Sequence, residues 1–320
     1  MKWLLRIFGA LLALLVIAFL VLRTPDTDPQ EMRAKYAAAP SQFVKLDNGL
    51  NVHLRDEGPR NALVIMLLHG SNADLHTWQP WVEALKGEYR VVRFDQRGHG
   101  LTGAAPDADY SNAAFVKDIE AVADALQLER FVLGGNSMGG GLTVAYALAH
   151  PERLDGMVLV DAGGAPVQGK GGGNIGFAIA RMPVINRVVE HVTPRFVVER
   201  SFRQSVSNQA IATPEAIDRY WELLRYPGNR AATVARFGQH RVPFTRAQVA
   251  ALDIPALVLW GTEDALIPVE AGRWYDRVLP QSTLIEYNGI GHLPHEEDAA
   301  QTTTDLQTWL AQLMRAAPEG

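Results

Sequence analysis

Leu133-Gly134-Gly135-Asn136-Ser137-Met138-Gly139-Gly140-Gly141 is the stretch that decides how this chain folds. It continues Phe131-Val132, so an apolar strand signal runs into it. It leads into Leu142-Thr143-Val144-Ala145-Tyr146-Ala147-Leu148-Ala149, a helix-forming run. Inside it, Gly135-Asn136-Ser137-Met138-Gly139 is a G-x-S-x-G sequence at a strand-to-helix turn. So tight a turn forces the serine into a strained backbone conformation. Flanking glycines let strand and helix approach, and the hydroxyl projects at the helix N-terminus. Ser137 is therefore a candidate nucleophile. The bland alternative is a glycine-rich loop, which the strand on one side and the helix on the other disfavour.

A nucleophilic serine needs a base, a group that orients the base, and donors for an oxyanion. His292 is the candidate base, in Gly289-Ile290-Gly291-His292-Leu293-Pro294 after the strand-like Thr283–Tyr287. Asp264 is the candidate acid, in Gly261-Thr262-Glu263-Asp264 after the apolar Val258-Leu259-Trp260. Two rivals stay open. Asp161 ends another strand-like run in Leu159-Val160-Asp161-Ala162, and Glu263 adjoins Asp264.

With these motifs the chain resembles the α/β-hydrolase fold superfamily over about residues 42–315. The chain order Ser, Asp, His is that of the superfamily's triads. His69-Gly70-Ser71, after the apolar run Leu63–Leu68, is similar to its His-Gly oxyanion loop. Asp95-Gln96-Arg97-Gly98-His99-Gly100 is similar to its D-x-R-G-x-G turn. The resemblance implies an α/β fold with a mainly parallel eight-stranded sheet, helices on both faces and an inserted helical cap. It also implies a catalytic set of Ser137, His292 and Asp264, with the backbone N–H groups of Ser71 and Met138 holding the oxyanion.

The chain itself carries the pattern of such a fold. Phe43–Leu46 and Leu50–Leu54 flank Asp47-Asn48-Gly49, a hairpin signal. Strand-like runs at Leu63–Leu68, Val91–Phe94, Gly156–Val160 and Ala256–Trp260 alternate with helical stretches at Thr77–Lys86 and Asn112–Leu126. Leu306, Trp309, Leu310 and Leu313 mark a last helix. Alternation of this kind implies a mainly parallel sheet covered on both faces. It breaks between about 163 and 249, where helical segments at Phe196–Phe202, Pro214–Arg225 and Asn229–His240 follow one another. The reading is therefore an N-terminal transmembrane anchor at 1–23, a linker at 24–41, a hydrolase core at 42–162 and 250–320, and a cap at 163–249. Phe177, Met182, Phe202, Trp221 and Phe237 are candidates for the cap's contribution to a pocket.

The N-terminus carries a signal of its own. Ile7–Leu22 is uninterruptedly apolar, flanked by Lys2 and Arg6 before and Arg23 after. With Trp3-Leu4-Leu5 it approaches the roughly 20 residues needed to span a bilayer. A cleavable signal peptide would carry small residues at its end, and Phe19-Leu20-Val21-Leu22-Arg23 has none. An uncleaved anchor is expected, with the catalytic domain on the extracytoplasmic, periplasmic side of the membrane.

Composition removes several chemistries. The 320 residues include no cysteine, which excludes disulfides and thiol catalysis. A net charge of −5 gives no reason to expect nucleic acid. Gly164-Ala165-Pro166-Val167-Gln168-Gly169-Lys170-Gly171 nearly matches a phosphate loop. It lacks the final Ser or Thr, and Pro166 interrupts its backbone donors. His292, His295 and Glu296 could in principle ligate zinc but are better explained by the loop of the base. No cofactor and no metal are expected.

The expected function is hydrolysis of a small-molecule ester by acyl transfer to water. Carbon–carbon hydrolases of aromatic degradation are the first alternative. They usually carry a more glycine-rich loop than His69–Asp74 and a tryptophan where Leu293 stands. A small-molecule receptor built on the same fold is the second.

Overall fold

The computed structural model describes residues 2–167, 182, 188, 190–239 and 242–316. The chain opens with α1 (Lys2–Leu22) and α2 (Pro29–Tyr36). Then come β1 (Gln42–Lys45), β2 (Asn51–Glu57), β3 (Val64–Leu68), α3 (Gln79–Leu85), β4 (Arg90–Phe94) and α4 (Asn112–Ala125). They lead to β5 (Phe131–Asn136), α5 (Met138–Ala149) and β6 (Leu154–Val160). Between β6 and β7 lie α6 (Arg195–Ser205), α7 (Pro214–Leu224), α8 (Asn229–Gly238) and α9 (Arg246–Ala250). The chain closes with β7 (Ala256–Gly261), α10 (Val269–Val278), β8 (Ser282–Tyr287), α11 (Pro294–Glu297) and α12 (Ala299–Ala316).

The strands form one eight-stranded sheet in the order β1-β2-β4-β3-β5-β6-β7-β8. Only β2 runs against the others, because the β1–β2 and β2–β4 pairings are antiparallel and the rest are parallel. This is the expected mainly parallel sheet, and it follows from strand chemistry. Side chains on a strand alternate between faces, and here both faces are apolar. Met66, Leu68, Leu133, Leu159 and Trp260 pack on one face with Phe115 and Ile119 of α4, Leu142 of α5 and Tyr275 of α10. Ile65, Leu67, Val132, Val158 and Leu259 pack on the other with Trp81 and Val82 of α3 and Leu306 and Leu310 of α12. Each such side chain removed from water contributes roughly 1.5–3 kcal/mol.

A parallel sheet sends every strand's C-terminal end to the same edge. Ligands of open α/β sheets bind at that edge. His69-Gly70-Ser71 follows β3, Ser137 follows β5, Asp161 follows β6, Asp264 follows β7 and His292 follows β8. The segment carrying α6 to α9 leaves the sheet at this edge, after β6, and rejoins it at the opposite edge, where β7 begins.

α1 stands apart. Its 21 residues are long and apolar enough to cross a membrane, and its described side chains are all exposed. Its described residues pack against no core. In contrast, α2 lies on the body, with Met32 buried against Leu101, Leu223 and Tyr226.

The tightest packing is at the turn after β5. A methyl added at Gly135 would collide with the backbone of Gly139, and one at Gly139 with the carbonyl of Leu68. Backbone atoms cannot give way as a side chain can. Gly135→Ala should therefore destabilise the protein by about 3 kcal/mol, read as a lowered urea midpoint at unchanged slope. A variant as stable as the parent would contradict this packing.

Candidate active site

Ser137 lies between β5 and α5 with φ 54° and ψ −114°. An L-residue in such a conformation stores about 1–3 kcal/mol of strain. The ladder around it holds it there. Its N–H donates to Val160 O (3.0 Å), and its own carbonyl accepts from Gly141 N (3.1 Å) and Gly163 N (2.8 Å). The loop after β3 presses on it from the other side: a Cβ at Gly70 would lie 3.2 Å from Ser137 Cβ. That contact brings Ser71 to the serine's side. Met138 begins α5, so its N–H belongs to the first turn of a helix, where N–H groups have no intrahelical acceptor.

His292 sits in the loop between β8 and α11. Its Nδ1 is 2.7 Å from Asp264 Oδ2. The other carboxylate oxygen, Oδ1, accepts from Leu266 N (2.7 Å) and Ile267 N (3.0 Å), which fixes the carboxylate in rotation. With Nδ1–H donated to the carboxylate, Nε2 is the ring nitrogen able to accept a proton. Ser71, Ser137 and His292 line one cavity of about 360 Å³, within the roughly 300–1,000 Å³ of small-molecule sites. Asp264 is buried behind His292. Among the candidate acids, Asp264 is the one on the imidazole. Glu263 instead accepts from Ser207 Oγ (2.9 Å).

Asp161 occupies a different place. It is fully buried beside Asp264, and its Oδ1 accepts from Gly261 N (3.1 Å). Oδ2 receives no donor, because the group it faces is a second carboxylate. Burial, and then the charge of Asp264, raise its pKa well above the carboxylate range. The proton it keeps turns Oδ2 into a donor toward Asp264. Asp161, Asp264 and His292 each bring one ligand atom within 4.8 Å of the others, a grouping of the kind that can hold a cation. The direct Asp264–His292 hydrogen bond already uses two of those atoms on each other.

Other histidines are structural in their geometry. His69 Nδ1 meets Gly70 O (2.8 Å), its Nε2 accepts from Gln96 N (3.1 Å), and burial lowers its pKa. His295 turns away from the cavity to Thr77 Oγ1 (3.0 Å) and stacks on Trp78. Burial and the neighbouring His292 push it down to about 3, so it stays neutral.

Two supporting residues were not singled out from sequence. Asn136 Nδ2 donates to the carbonyls of His292 (3.1 Å) and Val160 (3.2 Å), tying the base's loop to the serine's strand. Glu297 accepts from Gly291 N, Leu293 N, Ser207 N and Asn208 N, the last two at 2.8 Å, which knots that loop to the end of α6. The only sequence signal was an Asn inside the motif and a Glu in an acidic first turn. Of the aromatic and Met candidates for the pocket, Phe202 lines the cavity. Met182, Trp221 and Phe237 are not among its described lining. Phe177 and the second half of the phosphate-loop near-match lie outside the described residues.

A family model described as alpha/beta hydrolase fold matches residues 64–196. With the sheet order and the turn after β5, that decides the fold. The chain has the α/β-hydrolase fold. Its similarity to curated proteins is broad and moderate. An uncharacterized protein of Mycobacterium tuberculosis is 28% identical over 74% of this chain and 72% of its own. A 2-hydroxymuconate semialdehyde hydrolase of Pseudomonas sp. strain CF600 is 28% identical over 84% and 93%. Among solved structures, a thermophilic esterase from Thermogutta terrifontis superposes with a TM-score of 0.72 at 27% identity, over 86% of this hydrolase-fold chain and 99% of its own.

The buried Asp161 carries a pH signature. Between the ordinary carboxylate value, about 3.9, and its raised folded value, the native chain holds a proton that the unfolded chain has lost. Stability therefore falls as pH rises through that window. Asp161→Asn keeps a donor toward Asp264 and an acceptor for Gly261 but cannot ionise. Urea unfolding from pH 4.5 to 8 should show the parent losing stability relative to this variant as pH rises. A constant difference would mean that Asp161 is already ionised in the fold.

Proposed function

We propose that this protein is a serine hydrolase that cleaves small-molecule esters. The observation that carries the reading is the 2.7 Å contact of His292 Nδ1 with Asp264, with His292 and Ser137 opening on one cavity. His292 Nε2 takes the Ser137 proton as Oγ attacks the carbonyl carbon. Asp264 holds the ring in that tautomer and stabilises the imidazolium. The N–H groups of Ser71 and Met138 receive the oxyanion, each worth about 3 kcal/mol of barrier. The protonated His292 then releases the alcohol, and it activates the water that frees the acid.

The lining supports a neutral, apolar substrate. Val192, Val197, Val198, Phe202, Leu224 and Leu266 contribute to it. Arg230 is the only Lys or Arg in the described lining, and it is paired with Asp26 at 2.6 Å. We assign residues 163–249 as the cap that shapes this cavity.

A second reading, carbon–carbon hydrolysis, is favoured by the name of the Pseudomonas relative. Both reactions begin at a carbonyl carbon and share the serine. They separate in a panel of p-nitrophenyl esters and vinylogous diketones ranked by kcat/KM. Esters should rank first; the reverse order assigns the carbon–carbon reaction. In either case Ser137→Ala should lower turnover on the order of 10⁵-fold, leave the unfolding midpoint nearly unchanged and abolish labelling by a fluorophosphonate probe. A wild-type chain with no turnover at all would leave the receptor reading.

We further propose that α1 anchors the enzyme in a membrane. Its 21 residues extend about 31 Å, against a hydrocarbon core of about 30 Å. Lys2 and Arg6 at the start of the span support an orientation with the catalytic residues on the extracytoplasmic side. Cell fractionation with sequencing of the mature N-terminus tests this. A soluble enzyme starting near Thr24 would mean a cleaved signal peptide instead.

A further inference from the structure

The end of α1 is fixed to the mouth of the cavity. Leu22, the last residue of that helix, lines the same cavity as Ser137 and His292. The next residues are strapped to the segment that covers the site. Thr24 N donates to His191 O (2.9 Å), and Thr193 N donates to Thr24 Oγ1 (2.8 Å). Arg230 donates to Thr24 O (2.8 Å) and Asp26 (2.6 Å), and Thr27 N to Arg225 O (3.0 Å). A helix whose 21 residues nearly equal the hydrocarbon thickness has its last residue at the bilayer surface. Pinned there, Leu22 brings the mouth to the same surface.

The rim that faces this surface is apolar and open. Phe196 is 63% exposed, Val188 45% and Leu22 42%, and all three line the cavity. Large side chains of this kind gathered at one mouth are a site for apolar matter rather than chance exposure. From this rim, Val192, Val197 and Phe202 continue the apolar lining inward toward the serine.

We infer that the substrate is an acyl ester dissolved in the bilayer, a single-chain amphiphile that enters laterally between Leu22 and Phe196. This rests on the ester-hydrolase and anchor readings and names the class of ester. A long acyl chain that crosses water on its way to Ser137 is disfavoured about fourfold per exposed methylene. An apolar path from bilayer to serine removes that barrier. It also fits a cavity whose one described lining cation is neutralised by Asp26, because an acyl chain needs no counter-charge. The carbonyl reaches Ser137, water from the solvent side completes the hydrolysis, and a fatty acid and the alcohol-bearing headgroup leave.

The test uses the full chain reconstituted in vesicles of ether-linked phosphatidylcholine, which contains no acyl ester. Monoolein is mixed into the bilayer, and p-nitrophenyl acetate is supplied in the water. Oleate release should follow the mole fraction of monoolein in the membrane. It should fall about tenfold when the same amount is spread over tenfold more ether lipid, while p-nitrophenyl acetate hydrolysis does not change with dilution. Leu22→Asp and, independently, Phe196→Asp should each lower the ratio of oleate release to p-nitrophenyl acetate hydrolysis at least tenfold in protein that still floats with the vesicles. Hydrolysis of p-nitrophenyl acetate without oleate release, oleate release that tracks bulk amount alone, or a chain that does not float would overturn lateral entry. Loss of both activities, with no fluorophosphonate label on Ser137, would instead overturn the hydrolase reading beneath it.

Discussion

Everything at the reactive edge depends on one backbone constraint, the left-handed turn at Ser137. The turn exists because α5 packs so closely on β5 and on the end of β3 that only glycine fits at 135 and 139. Neither glycine touches a substrate. They set the distance between a strand and a helix, and that distance throws the serine hydroxyl out of the sheet while leaving the next N–H at a helix N-terminus. The strain stored at the serine is held by tertiary packing, since its carbonyl is claimed by Gly141 and Gly163 and its N–H by β6. In the proposed mechanism the nucleophile and one oxyanion donor thus come from the same distortion.

That constraint is local in sequence, which is why the fold was legible there. Short runs of apolar residues placed all eight strands, because a two-faced buried sheet leaves little room for anything but Val, Leu, Ile and Met. The helices from Pro214 and Asn229 were equally plain from their spacing, and α7 and α8 begin at those residues. Less was legible where partners are far apart in the chain. Glu297 looks like a helix-start charge, yet its carboxylate gathers four N–H groups from two segments, one of them as much as 90 residues upstream. Asn136 looks like a variable position in a motif, yet its amide joins two loops. Side chains that satisfy distant backbone groups leave no periodic trace.

The site's electrostatics turn on three carboxyl groups with different neighbours. Asp264 is met by two backbone N–H groups and an imidazole, Glu297 by four N–H groups, and Asp161 by one N–H and another carboxylate. Donor count decides which of them can carry charge in a dry interior. A carboxylate with donors on both oxygens replaces its lost hydration, whereas one facing a like charge cannot. Asp161 therefore serves as a neutral donor behind an anion. This is why strand ends as similar as Val160-Asp161 and Thr262-Glu263-Asp264 do not offer equivalent acids to His292.

Topology also explains why the end of α1, the inserted segment and Ser137 meet. The inserted segment leaves after β6 at the sheet edge where all the reactive loops emerge, so it lies over them. The strap after α1 binds this segment through Thr24, Asp26 and Thr27 rather than the sheet. Any movement of the cover relative to the sheet therefore carries the end of α1 with it, and a helix held in a bilayer in turn restrains the cover. The contacts that would transmit this include buried Arg230 on Thr24 and Asp26, Lys35 on Glu222 at the surface, and Met32 packed against Leu223 and Tyr226. Glu297 and His292 hold the opposite end of α6 to the base's loop, through Ser207 N, Asn208 N and Ser205 O. The inserted segment is thus tied to the strap after α1 at one end and to the loop of His292 at the other. The mouth of the cavity lies beside the strap, so the rim is the part of the site most directly exposed to whatever surrounds α1.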